Sequence, residues 1–242
     1  MTDLTILAIA DPDFVPRLRA LAASIAANMP SATLHACLVN VVDPDQIHEI
    51  ERAHARTELS FVFAELDTTV VHLGRDGVTP YTEKAGFCVN LRGRTTLDLL
   101  RAGRRRVLFV DADTIVRRDL APLCALIDES DIVIHKRPHE KDYMGVAGGV
   151  IGARPTAAAI EFFDRAVTRI DEIGNRAFFS DQLAFTQTIA EMGTRLRAAH
   201  LPKAFIDWEF EPESSIWVGK GRRKFENAAY LEEENRYTEG TG

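Results

Sequence analysis

Val107-Leu108-Phe109-Val110-Asp111-Ala112-Asp113-Thr114-Ile115-Val116 is the stretch whose reading decides the fold. Four apolar residues without alternation run into two aspartates, and a second β-branched pair follows. Such a run predicts a short strand buried on both faces, as in a parallel sheet. The aspartates fall where that strand leaves the sheet, the edge at which open α/β folds bind their ligands. Carboxylates at i and i+2 in that position offer oxygen ligands to a hard cation such as Mg²⁺ or Mn²⁺. Such a cation can in turn hold a diphosphate. A lone strand-end aspartate would be read as a turn residue bonding its own backbone.

Outward from this strand, the N-terminal side alternates strands and helices. Apolar runs predict strands at 4–10, 33–42 and 60–66. Helical spacing covers 16–27 and 44–55, and a long helix over 83–100 feeds the central strand. A short strand is expected at Thr69-Val70-Val71 in an otherwise irregular 68–80. The β-α-β-α-β order opens a mononucleotide-binding half with a parallel sheet. Beyond the aspartates, a short helix is expected at 120–127, a strand at 132–134, a polar loop at 135–144, and helices at 156–170 and 179–192. Gly148-Gly149-Val150-Ile151-Gly152 reads as a strand whose doubled glycine marks a bulge or a close backbone approach. The last residues, with Glu232-Glu233-Glu234, read as a polar tail that frays.

Bulk properties narrow the function. The chain has 242 residues and a net charge of −7, which argues against general nucleic-acid binding. No apolar run reaches the length of a membrane span. Cys37, Cys88 and Cys124 are widely spaced, without a CxxC, and read as reduced thiols of a cytoplasmic protein. The N-terminus shows no basic region followed by an apolar core, so no secretory signal is expected there. The Arg101–Arg106 segment lies at the opposite end of the central strand and reads as a helix terminus and solvated turn.

Four stretches then stand in a set order. Ala10-Asp11-Pro12-Asp13-Phe14 follows strand one, Asp111-Ala112-Asp113 follows the central strand, Asp181-Gln182 opens a late helix, and a Gly- and Lys-rich segment lies near the end. Over residues 4–224 this order resembles the retaining, nucleotide-sugar-dependent glycosyltransferases of the A-type fold, and family 8 most closely. The resemblance implies a single α/β domain with a mostly parallel central sheet flanked by helices. Residues 1–116 would form the nucleotide-binding half, 117–224 the acceptor and sugar-binding half, and 225–242 a polar tail.

It also implies roles. Asp11 and Asp13 would contact the base, with Asp13 in place of the family's Asn. Asp accepts but does not donate when ionised. The competing reading is that both aspartates only cap the next helix. Arg94, in Asn90-Leu91-Arg92-Gly93-Arg94, occupies the place of the family's Arg on the helix before the central strand, and Lys84 is a second cation on that helix. Asp111, Ala112 and Asp113 would form the metal–diphosphate site. Ala147-Gly148-Gly149 would lie against the donor sugar, with Val146 replacing the family's Asn. Asp181 would hold sugar hydroxyls, and Gln182 would sit beneath the anomeric carbon as an electrostatic aid. A Ser-Asp helix cap is the plainer reading of that pair. The family's His-x-x-Gly-x-x-Lys becomes Val218-Gly219-Lys220-Gly221-Arg222-Arg223-Lys224. Gly221 and Lys224 are kept, and Val218 replaces the third metal ligand. Lys220 and Lys224 could still grip the diphosphate.

The implied activity is metal-dependent transfer, with retention, of a sugar from a nucleoside-diphosphate sugar to a sugar, glycan, lipid or protein acceptor. Mn²⁺ or Mg²⁺ is the implied cofactor, and a cytoplasmic site, peripheral at the inner membrane, the implied location. Two alternatives remain open at this level. One is a haloacid-dehalogenase-type phosphatase using Asp111 and Asp113, although its nucleophile strand belongs near the N-terminus and its later acidic pair is missing. The other is a nucleotide-sugar binding protein without catalysis. A nucleotidyltransferase would need a glycine-rich loop after strand one, where Asp11-Pro12-Asp13 stands.

Overall fold

The computed structural model describes residues 3–67, 69, 71–73, 80–137, 145–174 and 179–239. The calls on Thr68, Val70 and the loop tip at 138–144 lie outside them.

A seven-stranded sheet organises these residues. The first half supplies β1 (Thr5–Ala10), α1 (Val15–Asn28), β2 (Thr33–Val39), α2 (Pro44–Ala53), β3 (Thr57–Val62), the small β4–β5 hairpin (Val71–Leu73 and Pro80–Thr82), α3 (Glu83–Arg101) and β6 (Val107–Val110). The second half adds β7 (Thr114–Val116), α4 (Ala121–Glu129), β8 (Ile132–Lys136), β9 (Val146–Ala153), α5 (Ala157–Ile173), α6 (Ser180–Met192), β10 (Ala198–His200), β11 (Ile216–Val218), α7 (Arg223–Glu226) and α8 (Ala228–Glu239). The spatial order is β10-β8-β9-β6-β1-β2-β3. β9 runs antiparallel to both its neighbours, and the other pairs are parallel.

Successive residues of a strand face opposite sides of the sheet, and β1 divides accordingly. Ile6, Ala8 and Ala10 pack with α1, α2 and α4, whereas Leu7 and Ile9 pack with α3, α5 and α6. Both faces are therefore covered by helices, which is why β6 reads as an unbroken apolar run. All four of its residues are buried.

The doubled glycine does make a bulge. The β8–β9 register jumps between Ile134, paired with Ile151, and His135, paired with Ala147. That step swings Gly148 and Gly149 toward the carboxyl edge of β6, where the Asp111 amide donates to the Gly149 carbonyl at 2.9 Å.

Two expectations change. The third strand begins at Thr57 rather than at residue 60, because the parallel register with β2 extends back to Leu34 opposite Thr57. The C-terminal segment is not a frayed tail over 228–239 but a helix. Tyr230 is fully buried against Ile115, Phe210 and Trp217. Glu234 pairs with Arg17 at 3.0 Å, and Glu233 with Arg117 at 3.5 Å. Partners on distant elements thus take up acidic side chains that look solvated in isolation. Among the described residues, no helix is long and apolar enough to cross a membrane.

Candidate active site

The carboxyl edge of the sheet gathers most of the residues singled out in the sequence. Asp111 and Asp113 leave β6 in a turn closed by the Thr114 amide donating to the Asp111 carbonyl at 3.1 Å. Ala112 between them is buried, so the two carboxylates stand on either side of a packed methyl group. The backbone of Asp113 is held by the C-terminal segment: its carbonyl accepts from the Gly219 amide and from the Tyr230 hydroxyl, both at 2.8 Å. A Cβ at Gly219 would sit 2.9 Å from each of these oxygens, so the close approach requires glycine.

The side chain at the centre is Arg92. Its Nε donates to the Val89 carbonyl at 2.7 Å, and one Nη donates to the Gly148 carbonyl. The other Nη lies 3.4 Å from Asp111 Oδ1, and Nε lies 3.2 Å from Asp181 Oδ2. The guanidinium stacks over Phe109, 4.8 Å from the ring centroid, a favourable placement for a weakly hydrated planar cation. A side chain at Gly148 would collide with Arg92, and one at Gly149 would meet Asp111 Oδ2 at 2.8 Å.

Asp181 is 1 % exposed. Its amide donates to Asn90 Oδ1 at 3.0 Å, and its Oδ2 is buried without a hydrogen bond. Burial pushes its carboxyl above the usual range, and Arg92 opposes that rise. The helix-cap reading of Ser180-Asp181 does not describe this geometry. The cap residue of α6 is Phe179, in the left-handed region at φ 67, and no side chain caps the helix. A non-glycine residue there is uncommon and carries strain. The first turn of α6 presents Asp181 inward to Arg92, with Gln182 half-buried beside it.

Lys224 closes the opposite side. Its Nζ donates to Asp113 Oδ2 at 2.6 Å and lies 4.6 Å from the centroid of the Phe14 ring. Burial raises the Asp113 carboxyl to about 6, with Lys224 lowering it and Asp111 raising it. At the end of β1, Asp11 caps the following turn by accepting from the Asp13 and Phe14 amides at 2.8 and 3.2 Å. Its other oxygen lies 3.2 Å from Lys84 Nζ, which also reaches Asp13 Oδ2 at 2.5 Å. Asp11 therefore serves as a turn cap and an ion-pair partner at once. Asp13 is largely exposed.

Two expected cations stand elsewhere. Arg94 pairs with Asp171 at 2.7 Å on the outer face of α3, and Lys220 lies over Trp208, 4.3 Å from the ring centroid. Gly221 takes φ +60 in the turn between Lys220 and Lys224. The missed residue is Arg92. Helical period was the available signal: Cys88, Arg92, Thr96 and Leu99 share one face, and Arg94, Asp98 and Arg101 the opposite one. Two residues apart on a helix, only one of the two arginines can face the sheet.

The donor set can be tested against a divalent cation. Three carboxylates, Asp111, Asp113 and Asp181, face two cations, Arg92 and Lys224. Burial first, and the neighbouring Asp111 charge to a lesser degree, raise the Asp113 and Asp181 carboxyls. Asp111 and Asp113 are oxygen donors suited to Mg²⁺ or Mn²⁺. Val218 is buried, with its Cγ1 3.6 Å from where a Cβ of Gly149 would stand, beside Asp111. No cluster of three His, Cys, Asp or Glu ligands occurs among the described residues. Among the described residues, the donor set therefore fits a hard cation held by the two carboxylates Asp111 and Asp113.

The fold is shared with solved glycosyltransferases. GlyE of Streptococcus pneumoniae TIGR4 superposes with a TM-score of 0.62 at 12 % identity, over 98 % of this chain and 62 % of that one. The galactosyltransferase LgtC, solved with donor and acceptor sugar analogs, gives 0.58 at 16 % identity over 98 % and 95 %. Mouse xyloside xylosyltransferase 1 gives 0.53 at 11 % identity over 90 % and 97 %. The chain thus spans less than two thirds of GlyE and nearly all of LgtC. No curated protein sequence matches it. The profile of the nucleotide-diphospho-sugar transferases matches residues 79–227, more than half of the chain, and includes Arg92, both strand-end aspartates, Asp181 and Lys224. The chain therefore belongs to the nucleotide-diphospho-sugar transferase family.

Proposed function

We propose that the protein transfers a sugar from a nucleoside-diphosphate sugar to an acceptor hydroxyl, with a divalent cation and with retention of anomeric configuration. The observation that carries this is the convergence on Arg92 of Asp111, Asp181 and the Gly148 carbonyl at the carboxyl edge of the sheet.

Asp111 and Asp113 would hold Mn²⁺ or Mg²⁺, which neutralises the diphosphate and steadies it as a leaving group. Lys224, now on Asp113, is within a side-chain swing of the diphosphate that the same aspartates would bring in. Lys84, Asp11 and Asp13 line the nucleoside end. Gly148 and Gly149, lacking side chains, let Arg92 and Asp111 pack closely against the bulge, and Arg92 holds Asp181 oriented to accept from the hydroxyls of the sugar. Gln182 is an amide and a poor nucleophile, so its part is to present its carbonyl dipole to positive charge developing at the anomeric carbon. The departing diphosphate oxygen takes the proton of the acceptor hydroxyl on the same face, which keeps the configuration. A cytoplasmic protein peripheral at the inner membrane suits the exposed Phe225 beside Arg222 and Arg223.

Val218 gives the non-catalytic binder its one specific support, because it removes the family's third ligand. Incubation with isotopically labelled nucleotide sugars and an acceptor panel, read by NMR at the anomeric position, separates the two. Retained-configuration product is expected. Nucleotide binding without product would establish the binder, and inverted product would overturn the front-face mechanism.

A further inference from the structure

Lys224 stands where the strand-end aspartates meet the C-terminal segment, and it is held more closely than a grip on phosphate requires. Its side chain is 12 % exposed and that of Asp113 9 %, with Nζ 2.6 Å from Asp113 Oδ2. The ammonium lies 4.6 Å from the centroid of the Phe14 ring and 5.6 Å from that of Phe225. Phe225 is itself covered by Arg17, whose Cζ is 4.8 Å from the same centroid. Two aromatic rings thus favour a cation at this point, and the carboxylate fixes it there.

The backbone on either side of Lys224 is tied to the residue it pairs with. The Gly219 amide before it and the Tyr230 hydroxyl after it both donate to the Asp113 carbonyl. Tyr230 is packed against Phe210 and Trp217, and Glu234, one turn further on, pairs with Arg17 at 3.0 Å. The segment 220–229 is therefore anchored to Asp113 at both ends. The ammonium, on a flexible four-carbon stem, can leave the carboxylate by side-chain rotation while the segment that carries it stays in place.

Asp111 has a basic neighbour of its own, Arg92 at 3.4 Å. Each strand-end aspartate thus already faces a cation of the chain. With Asp181 included, three carboxylates oppose two cations, which leaves one formal negative charge. A divalent cation arriving alone would reverse that sign and leave Lys224 without an anion in a largely buried position, which is costly. A divalent cation carried on the doubly charged diphosphate of a nucleotide sugar adds no net charge, and the phosphate oxygens offer Lys224 a new partner.

We propose, resting on the donor-site reading given above, that Lys224 is an exchangeable counter-cation. It holds Asp113 against free divalent ions and yields it only to a cation that arrives with a diphosphate, onto which the lysine then passes. The ammonium–carboxylate pair breaks, a metal–carboxylate bond and an ammonium–phosphate pair replace it, and no proton moves. Lys224 thereby selects the form in which the donor enters, with the cation already on its diphosphate.

The test is a titration of Mn²⁺ into the full chain, followed by the EPR signal of the free ion, without nucleotide and with UDP or GDP, and corrected for the Mn²⁺–nucleotide complex in solution. The wild type should bind Mn²⁺ weakly by itself and far more tightly with one of the two nucleotides. Lys224→Met should tighten Mn²⁺ binding to the nucleotide-free chain by roughly tenfold, the size of one charge-assisted contact, and shrink the ratio between the two affinities. Lys224→Arg, which keeps the charge, should behave like the wild type. Circular dichroism reports whether each variant is folded, and Lys224→Gln replaces the methionine variant if that one is not. Tight Mn²⁺ binding to the nucleotide-free wild type overturns the proposal. So does unchanged or weaker Mn²⁺ binding to the folded neutral variant, because the coupling would then come from the phosphates completing the coordination alone. If neither nucleotide binds the wild type with Mn²⁺ present, the donor-site reading fails and this proposal falls with it. If one binds with Mn²⁺ and the neutral variant leaves Mn²⁺ affinity unchanged, only the proposal fails.

Discussion

Replacing Arg92 by Met keeps an apolar stem over Phe109 and removes the charge that compensates Asp181. Asp181 is almost wholly buried and its Oδ2 has no hydrogen-bond donor, so the guanidinium 3.2 Å away is its principal compensation. Stripping one partner from a buried pair costs about 3–5 kcal/mol, since the remaining charge stays out of water. Asp111 adds less, being one-third exposed and screened by solvent. For a chain of this size each kcal/mol lowers Tm by about 2–4 °C, so a fall of roughly 6–20 °C is expected. The pH dependence has a definite sign. A carboxyl raised in the native state binds more protons there than in the unfolded chain, so stability declines as pH rises from the ordinary carboxylate range to the raised value. Removing Arg92 raises Asp181 further, so part of the loss should return between pH 7 and pH 5. Urea unfolding at both pH values reads this directly. Adding Asp181→Asn, which removes the orphaned charge, should recover much of the stability at pH 7. A loss below about 1 kcal/mol, within the range of an exposed pair, or a double variant no more stable than the single one, would refute the placement of Arg92 as a buried counter-charge.

Three further outcomes follow from the same geometry. Gly148→Ala drives a methyl group into Arg92 and should cost about 1–3 kcal/mol by overpacking, with nucleotide-sugar binding weakened more than binding of the bare nucleoside diphosphate; calorimetry on both ligands checks this. Tyr230→Phe removes one of two donors from the Asp113 carbonyl and should cost about 1 kcal/mol, measured as a shift in urea midpoint; no shift would detach α8 from the support of the strand-end turn. His54 is buried, hydrogen-bonded to the Ala32 carbonyl at 2.9 Å, and held below its ordinary value by burial. A lowered histidine binds fewer protons in the native state, so its contribution is complete above about pH 6.5 and declines as pH falls below that. His54→Gln should accordingly shrink the difference in stability between pH 7.5 and pH 5.5, and an unchanged difference would contradict the assignment.

How far the sequence was legible depended on the range of the forces involved. The Val107–Val110 run and its two aspartates are local signals, and β6 and the strand-end turn appear where they predict. The doubled glycine was equally local, and the bulge at Gly148-Gly149 follows from it. Arg92 was hidden by a neighbour of the same type two residues on, and choosing between Arg92 and Arg94 required the helical phase of α3 rather than the family pattern. The acidic run at 232–234 misled because its partners, Arg17 and Arg117, lie far off in the chain, and only their pairing makes α8 a packed helix. Asp181 was legible as a candidate at a helix start, but its inward turn depends on Phe179 taking a left-handed backbone, which an aromatic side chain does not advertise.

The central claim is that Asp111 and Asp113 bind a nucleoside diphosphate together with a divalent cation. With only two carboxylates and Val218 beside them, the nucleotide's phosphates must complete the coordination, so metal and nucleotide should each bind weakly alone and strongly together. Reciprocal coupling of this kind typically amounts to about 1–3 kcal/mol. Isothermal titration of UDP and GDP, with Mn²⁺ and with the cation chelated, on the wild type and on Asp113→Asn, measures it. The account predicts that one nucleotide binds tightly only with Mn²⁺ and that the substitution removes this dependence. Nucleotide affinity that is indifferent both to the cation and to Asp113→Asn would contradict it.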